Sequence, residues 1–336
     1  MKSSHRSALL RVGVSLGLLM ILVHLKVADP KEVLGHMRTA LATQPQALGL
    51  AVLLYCVLGT IVRGRRWQAL VSGLGHPFSV WRATELFLVG TFFNQILPTG
   101  IGGDLVRGLA AARDGLGKTR AFSSVLVDRA LGLLPMLAIG LFALPLAWGH
   151  IEPRLRLPML LIGSAGLAGL VSLLWIDHAA VRLRRFLPRL LPASLHASVD
   201  RFITSFTEYD RASLAKALFW GTVFSALLIG TNAALGQAVG IELPGLLHWA
   251  IVVPLVAMST IMPSIGGWGV REALYASLLP RQPDAAVALS AMFGLLNILL
   301  AAVGGILSVM GESVGLPRLD RLRAEGRAAS ETESDD

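Results

Sequence analysis

Two short segments of the chain share a residue pattern that suits the binding of an anion. Residues 101–107 and 265–271 both read I-G-G-x-x-V-R, and a proline followed by a hydroxyl residue precedes each. The glycines leave backbone N–H groups free, and the start of a helix directs partial positive charge at an anion such as phosphate. Arginine one turn into each helix can add bidentate contacts. The pattern therefore predicts an anion site at two helix breaks, with the candidates Pro98, Gly102, Gly103, Arg107, Pro263, Gly266, Gly267 and Arg271.

A second group of candidates consists of charges within apolar sequence. Asp128 and Arg129 lie inside the apolar run 121–148. If a helix starts near residue 121, they lie about 10–12 Å along it, and ionisable groups at such a depth in a membrane are paired or functional. Alternatively, the embedded part begins near residue 126, which would place the pair at the lipid headgroups.

The remaining charges near the breaks suggest a balanced site. Asp104 and Arg107 are three residues apart, a spacing that lets them pair on a helix. Glu272 directly follows Arg271, and we expect it to pair with Arg107 or Arg129. Taken together with the candidates above, three acids face three arginines, so a phosphate could compete with the carboxylates for the arginines.

The composition places this chemistry in a membrane. Hydrophobic residues make up 54% of the 336 residues and charged residues 15%, and the mean hydropathy is +0.65. Soluble domains have about 45–50% apolar and about 25% charged residues, whereas a bilayer-spanning helix needs about 20 apolar residues. Such runs recur along almost the whole chain, so we predict an all-α, polytopic transmembrane helix bundle. This excludes a soluble enzyme and a nucleic-acid binder, and basic cytoplasmic loops explain the net charge of +9.

Cofactor chemistry finds no support in the sequence. The single cysteine, Cys56, cannot form an intramolecular disulfide, and the eight histidines lack metal-ligand spacing. The nucleotide-binding pattern G-x-x-x-x-G-K-[ST] does not occur. We therefore expect no metal and no cofactor, and any transport would run downhill or be coupled to ions.

Hydropathy and charge together predict the topology. Six full spans are expected near residues 8–25, 46–62, 121–148, 158–176, 214–239 and 285–310. Basic residues cluster at Arg63–Arg66, at 104–120 and at 178–213, the last of which is expected to lie on the membrane surface. Because positive loops stay in the cytoplasm, both termini are predicted to be cytoplasmic, with Arg63–Arg66 and Trp67 at the interface. Each break then re-enters the side from which it came; if both breaks cross instead, about eight spans result.

The matched breaks indicate an internal duplication, an inverted repeat with halves at about 46–148 and 214–310. Backbone inside a bilayer needs hydrogen-bond partners, so a break is tolerated only where protein or water supplies them. Transporters place such interrupted helices in paired repeats around a midplane site. Ordinary loops with arginine at the interface are the alternative. The expected organisation is one integral membrane domain over 1–317, followed by a disordered cytoplasmic tail over 318–336.

Several of these segments resemble one known family. The run from Asn94 to Pro98 leading to Gly102–Arg107 is similar to the lysylphosphatidylglycerol synthase transmembrane family, also called flippase-like. The pairs Asp128-Arg129 and Arg66-Trp67 and the segment Pro263–Glu272 are similar to it too. Asp104 stands where many relatives have glutamate. Asn94 itself is either a hydrogen-bonding group of the site or a helix–helix contact.

The resemblance implies lipid translocation. In the multiple-peptide-resistance factors, such a domain is fused to a synthetase that aminoacylates phosphatidylglycerol, and it moves the product across the membrane. The residues after 312 are too few for that synthetase, so translocation without aminoacylation is implied. Stand-alone relatives are implied to handle varied lipids, so the lipid could be a phospholipid or a polyprenyl-linked or hopanoid-type lipid.

The leading hypothesis is therefore a flippase or scramblase for an anionic or phosphorylated lipid in the bacterial plasma (inner) membrane. A membrane-embedded transferase is the first alternative, with Asp128 as general base and the arginines stabilising phosphate charge. An accessory subunit of a lipid or cell-envelope assembly is the second. Enzymatic activity is the less favoured expectation, because no second catalytic carboxylate cluster and no nucleophile elbow is evident.

Overall fold

The computed structural model describes residues 28–96, 102–150, 153–174, 208–243, 245–257 and 267–310, together with Met20, His24 and Ser259. These residues form helices and no strand, which confirms the all-α prediction. The α-helices are α1 (Pro30–Thr43), α2 (Pro45–Gly73), α3 (Val80–Ile96), α4 (Gly102–Ala111), α5 (Lys118–Ala143), α6 (Pro153–Leu174), α7 (Arg211–Ala238), α8 (Leu246–Ala257), α9 (Val270–Leu278) and α10 (Pro283–Met310). A π-helical turn follows α4 at Ala112–Leu116, and a 3-10 turn lies at Pro145–His150.

Four of the described helices, α2, α5, α7 and α10, are long and apolar enough to cross a membrane. Each has 26 to 29 residues, so each is about 40 Å long and exceeds a hydrocarbon core of about 30 Å. Helix α6 carries a shorter apolar stretch, Arg156–Gly169. The chain is therefore a multi-pass membrane protein. The expected first span, nearly all of the segment 178–213 and the expected tail lie outside the described residues.

Helix starts follow local capping chemistry. Proline occupies the first turn of α1, α2 and α10, where a missing N–H is harmless. Asp210 caps α7 by accepting a hydrogen bond from the backbone N–H of Ser213 at 3.2 Å. Hydrogen bonds from Ser213 hold the pKa of the Asp210 carboxyl below its usual value. Helix α2 differs from the prediction, because it continues to Gly73 rather than ending near residue 62.

The first break turns the chain back on itself. Helix α4 packs against α3, and we call this pair the first hairpin. At its tip, the backbone N–H of Gly103 donates to Oδ1 of Asn94 at 2.8 Å. A methyl group at Gly103 would collide with the carbonyl oxygen of Gly90, so the two backbones touch. At its open end, Arg82 at the start of α3 binds Asp114 beyond α4 at 2.9 Å. The two helices thus form a hairpin, and re-entry of this break on one side of the membrane stays a prediction.

The helices on either side of the second break also form a hairpin, and its open end lies at the end of the bundle opposite to that of the first hairpin. Helices α8 and α9 form the second hairpin, and Glu242 before α8 donates its N–H to Oε1 of Gln282 after α9 at 3.2 Å. Nearby, the N–H of Asp29 donates to Asp284 at 2.6 Å. Helix α7 joins the two ends, because it starts where Ser213 lies against Gly73 and finishes where the carbonyl oxygen of Val239 contacts His36. We call these ends the Asp114 end and the Asp284 end.

The long helices and the hairpins interlock in one bundle. Helix α2 packs along α7, the first hairpin lies against α10, and the second lies against α5. A methyl group at Gly304 of α10 would collide with the carbonyl oxygen of Leu88, which shows how closely α10 approaches α3. The largest apolar cluster lies between α2, α7, the second hairpin and α10, and includes Leu235, Trp249 and Leu289. This packing brings both hairpin tips toward the centre of the bundle.

Candidate functional site

A cavity of about 360 Å³ lies where the two hairpins meet the long helices. The first hairpin contributes Asn94, Asp104 and Arg107 to its lining, and the second hairpin with its break contributes Gly267 and Arg271. The remaining lining includes side chains from α2, α5, α7 and α10. The two sequence motifs, 164 residues apart at their arginines, therefore border one polar space.

Asp128 is the centre of the ionic network in this cavity. It is 1% exposed, and its two carboxylate oxygens bind different arginines. Oδ1 accepts from Nε of Arg66 at 2.7 Å, and Oδ2 accepts from Nη2 of Arg107 at 3.0 Å. Since Asp128 lies ten residues into α5, it is about 15 Å from the start of that helix. Asp128 is therefore paired and buried, whereas its depth relative to the lipid headgroups stays a prediction.

Asp104 extends the network to the outer surface of the bundle. Its carboxylate lies 3.5 Å from Nη1 of Arg107 and 2.5 Å from Nε of Arg129. The predicted pairing of Asp104 with Arg107 is therefore present. The Arg129 side chain is 44% exposed and lies a little more than one third of the way along α5, so the ionic network reaches from the cavity to an exposed side chain.

Aromatic rings hold the arginines of the first half in place. The Arg107 guanidinium lies over Trp67 at 4.3 Å and over Phe87 at 5.1 Å. Trp67 is fully buried and donates its indole N–H to Ser124 at 3.0 Å. The prediction that Trp67 anchors the membrane interface is therefore wrong: the ring packs inside the bundle against an arginine.

Arg63 is a further buried guanidinium of the cavity wall. It is surrounded by the rings of Tyr55, Phe87 and Phe224, with centroid distances of 4.4–4.9 Å. Its hydrogen bonds go to the carbonyl oxygens of Gly59 and Tyr55 and to the hydroxyl of Thr60. Tyr55 belongs to a π-helical turn, Leu53–Leu58, within α2. Among the described residues, no carboxylate lies within ion-pair distance of Arg63.

The arginine of the second hairpin, Arg271, pairs with the adjacent residue in the chain, Glu272. Nη2 of Arg271 lies 3.3 Å from Oε1 of Glu272, and Nε donates to the Ser290 hydroxyl at 2.8 Å. The same hydroxyl donates to Glu272 at 2.7 Å. The other carboxylate oxygen accepts the N–H of Gly269 at 2.6 Å at the start of α9. The prediction that Glu272 pairs with Arg107 or Arg129 is wrong, because its neighbours within the second half satisfy it.

The predicted glycines have distinct positions. Gly102 and Gly103 are buried at the tip of the first hairpin, where Gly103 permits the close approach of α3 and α4. Gly267 lines the cavity with a positive φ of 83°, a conformation that favours glycine. The predictions for Pro98, Pro263 and Gly266 fall outside the described residues.

The charge of the cavity differs from the prediction. The sequence suggested three acids against three bases, but Arg63 and Arg66 also line the space. Sequence reasoning assigned these two to a cytoplasmic interface, whereas only Arg65 between them is exposed. The spacing of three residues, which puts two arginines on one helix face, was the signal that could have revealed them. Among the described residues, five arginines and two carboxylates therefore line the cavity, and Glu272, which pairs with Arg271, lies outside this lining.

Neutral polar groups complete the lining near the second half. The hydroxyls of Tyr275 and Tyr55 donate to the amide oxygens of Asn232 and Asn297, respectively. All four residues line the cavity. Sequence reasoning did not single them out, since a lone tyrosine or asparagine in an apolar run is usually a helix contact. In the part of the chain that the structure describes, no group of three or more His, Cys, Asp or Glu residues could hold a metal ion.

Comparison with known proteins identifies the fold family. The profile described as the lysylphosphatidylglycerol synthase TM region matches residues 8–305. The chain belongs to this family. The match spans both hairpins and every charged residue of the cavity, so the resemblance seen in the sequence is confirmed, and the membrane helices belong to a family associated with lipid handling. No curated protein and no solved structure matches the chain at a significant level.

Proposed function

We propose that this member of the lysylphosphatidylglycerol synthase TM family is a flippase or scramblase that moves an anionic or phosphorylated lipid between leaflets. One observation supports this most directly: both hairpins border a single buried cavity, whose described lining contains five arginines and two carboxylates. A cavity of this charge inside an apolar bundle suits a lipid headgroup, because arginine forms bidentate contacts with phosphate. The acyl chains would stay in the bilayer.

The exposed side chain of Arg129 offers a first contact for the headgroup. Arg129 faces outward and shares the Asp104 carboxylate with Arg107. A phosphate that reaches Arg129 can replace this carboxylate and then pass to Arg107 inside the cavity. Asp104 therefore acts as an internal anion that keeps the arginines compensated while no lipid is bound, which lowers the penalty for burying their charge.

We also propose that the two halves are inverted repeats offset by about 165 residues along the chain, an arrangement that supports alternating access. Helices α2 and α7 end at Gly73 and Ala238, 165 residues apart. Helices α5 and α10 begin at Lys118 and Pro283, again 165 residues apart. The hairpins between them enter from opposite ends of the bundle. Two such halves can open a shared site to either leaflet in turn.

We place the protein in the bacterial plasma membrane, with the Asp114 end and both termini in the cytoplasm. Among the described residues, the Asp114 end is the more basic, because it carries Arg82, Arg113, Lys118, Arg120, Arg211 and Lys216. Positively charged segments are retained on the cytoplasmic side.

Transport in proteoliposomes tests the proposal. A membrane-impermeant reductant removes the fluorescence of labelled phosphatidylglycerol in the outer leaflet only. If the protein exchanges lipid between leaflets, the inner-leaflet lipid also reaches the reductant, and the remaining fluorescence falls. Wild type and Arg65→Ala, whose side chain is exposed on α2, are expected to exchange lipid. Arg107→Ala and Arg271→Ala are expected to lose exchange. Chemically altered lipid would instead indicate an enzyme, and unchanged exchange in both cavity variants would refute this site.

Cysteine labelling tests the topology. The one native cysteine, Cys56, is first replaced by serine, and single cysteines are then placed at Asp114 and Gln282, the open ends of the two hairpins. An impermeant maleimide applied to intact cells should label only the position at Gln282, and applied to inverted vesicles only that at Asp114. Labelling of both positions from one side would contradict the inverted arrangement.

A further inference from the structure

We infer that the cavity also binds hydroxyl groups attached to the lipid phosphate, so that the headgroup is a polyol rather than a plain alkyl group or an amine. This inference rests on the proposed function and narrows its substrate class. Its basis is two tyrosine–asparagine pairs that line the cavity beside arginines, Tyr55 with Asn297 and Tyr275 with Asn232.

The two pairs share one hydrogen-bond arrangement. The hydroxyl of Tyr55 on α2 donates to Oδ1 of Asn297 on α10 at 2.9 Å. The hydroxyl of Tyr275 on α9 donates to Oδ1 of Asn232 on α7. Each asparagine also donates one amide N–H to the carbonyl oxygen four residues earlier in its own helix, at 2.9 Å in α10 and 2.8 Å in α7. These bonds fix the orientation of both amides.

Each pair keeps hydrogen-bonding capacity for a ligand. An amide has two N–H donors, and a phenolic oxygen that donates can also accept. Among the described residues, the second amide N–H of Asn232 and of Asn297 has no acceptor. A hydroxyl group matches such a pair, because it accepts from the amide and donates to the phenol. An alkyl group does neither, and an ammonium group cannot accept, so both leave a buried donor unpaired, which is costly.

The arginines lie where they can hold the phosphate next to these pairs. The Arg63 guanidinium lies 4.8 Å from the centroid of the Tyr55 ring. Arg271 precedes Tyr275 by one turn of α9, and both side chains line the cavity. A phosphate bound to either arginine therefore brings its substituent to the neighbouring tyrosine and asparagine.

The cavity has room for a phosphate and a polyol together. Its volume is about 360 Å³, and one water molecule takes up about 30 Å³ of the liquid. On this generous scale, the five heavy atoms of a phosphate group need about 150 Å³. The remaining volume, about 200 Å³, accommodates the six heavy atoms of a glycerol group.

Binding of lipids with identical acyl chains measures the preference for hydroxyl groups. The purified full-length protein in detergent is titrated with phosphatidylglycerol, phosphatidylinositol, phosphatidylethanolamine and phosphatidylpropanol, and binding is read by native mass spectrometry. Phosphatidylpropanol has the charge of phosphatidylglycerol but lacks its two hydroxyl groups. The tighter-binding polyol lipid should exceed phosphatidylpropanol and phosphatidylethanolamine about tenfold, as expected for additional hydrogen bonds. Comparison of the two polyol lipids distinguishes a glycerol from a ring polyol.

Paired substitutions connect this preference to the residues. Replacing both members of a pair by apolar residues of similar shape leaves no partner unsatisfied. Tyr275→Phe with Asn232→Leu should reduce the tenfold preference about threefold, as should Tyr55→Phe with Asn297→Leu, and the quadruple variant should bind polyol and propanol lipids equally. The third tyrosine of the chain, Tyr209, is buried outside the cavity lining. Tyr209→Phe is therefore the matched control and should keep the full preference.

The outcomes distinguish this inference from the proposed function. A thermal unfolding midpoint for each variant separates loss of preference from loss of fold. Equal binding of all four lipids, or a preference that survives in the folded quadruple variant, would overturn the polyol headgroup while leaving lipid exchange standing. Binding of none of the four lipids would also overturn it, and together with no exchange in proteoliposomes would overturn the proposed function as well.

Discussion

The two hairpins carry the same motif, yet their charges are arranged differently. In the first hairpin, Arg107 reaches Asp128 on the next helix, and that carboxylate also binds Arg66 on α2. In the second, Arg271 is compensated by the adjacent Glu272. The tips differ in the same way: the N–H of Gly103 is capped by Asn94 from the opposite arm, whereas that of Gly269 is capped by Glu272 from its own helix.

The difference indicates that the two similar hairpins have different structural roles. The network of the first hairpin joins α2, α4 and α5 through one shared carboxylate, so a ligand or a movement can rearrange it. The unit formed by the second hairpin with Ser290 is balanced and needs no partner from the first half. We therefore expect substitutions in the first hairpin to affect several helices, and those in the second to act locally.

Asp128→Asn should have the largest effect. It leaves Arg66 and Arg107 buried without their shared carboxylate, and such unpaired charges destabilise a protein by about 3–5 kcal/mol. We expect a large fall in the unfolding midpoint in detergent and loss of lipid exchange. The control is Asp114→Asn, which removes a partly exposed ion pair with Arg82 and should change stability by less than about 1 kcal/mol. A midpoint as high as that of wild type would show that the network does not hold the helices together.

The next largest effect is expected from alanine at Gly103 and Gly267, which should destabilise the two hairpins to different extents. Gly103→Ala forces a methyl group against the backbone of Gly90, and overpacking of this kind destabilises by about 3 kcal/mol. Among the described residues, the methyl group of Gly267→Ala meets only the Ser259 hydroxyl, 3.7 Å away, so we expect the positive φ to cost about 1 kcal/mol. The unfolding midpoints of the two variants compare these directly. A reversed order would mean that the second tip is the tighter one.

Double variants test whether the charge of each hairpin arginine is compensated by a single neighbouring carboxylate. Adding Arg271→Leu to Glu272→Gln should restore stability by about 1–2 kcal/mol, because the buried arginine and its partner are then both absent. Adding Arg107→Leu to Asp128→Asn should restore less, about 0.5 kcal/mol, since Arg66 stays unpaired. Coupling energies from thermal unfolding give both values, and equal recovery in the two pairs would remove the distinction between the hairpins.

The smallest expected effect concerns the cap of the first tip. Asn94→Ala removes the acceptor for the N–H of Gly103 and should destabilise the start of α4 by about 1 kcal/mol. Hydrogen exchange of the amides at 102–108 should become faster, while those of the second hairpin keep their rates. Gln68→Ala, which removes a hydrogen bond to Ser72 on α2, serves as the control. Exchange that is unchanged at 102–108 would show that packing alone fixes this tip.

Much of the architecture could be predicted from linear features of the chain. Apolar runs marked α5, α7 and α10, and the paired motifs marked both hairpins. The prediction was poorest for charges close to apolar helix ends: Arg63 and Arg66 look like an interfacial cluster in the sequence, because nothing local distinguishes them from the exposed Arg65. The partner of Glu272 was also assigned wrongly, since a residue on α10, Ser290, fixes its orientation.

The sequence by itself determined where the helices lie and where they break, because apolar content, proline and glycine act on the backbone locally. Only the tertiary structure decided which charges meet. Arg66 and Asp128 are 62 residues apart in the chain, and their contact exists because α2 and α5 pack side by side with those faces inward. The ion pairs of the cavity follow from this packing.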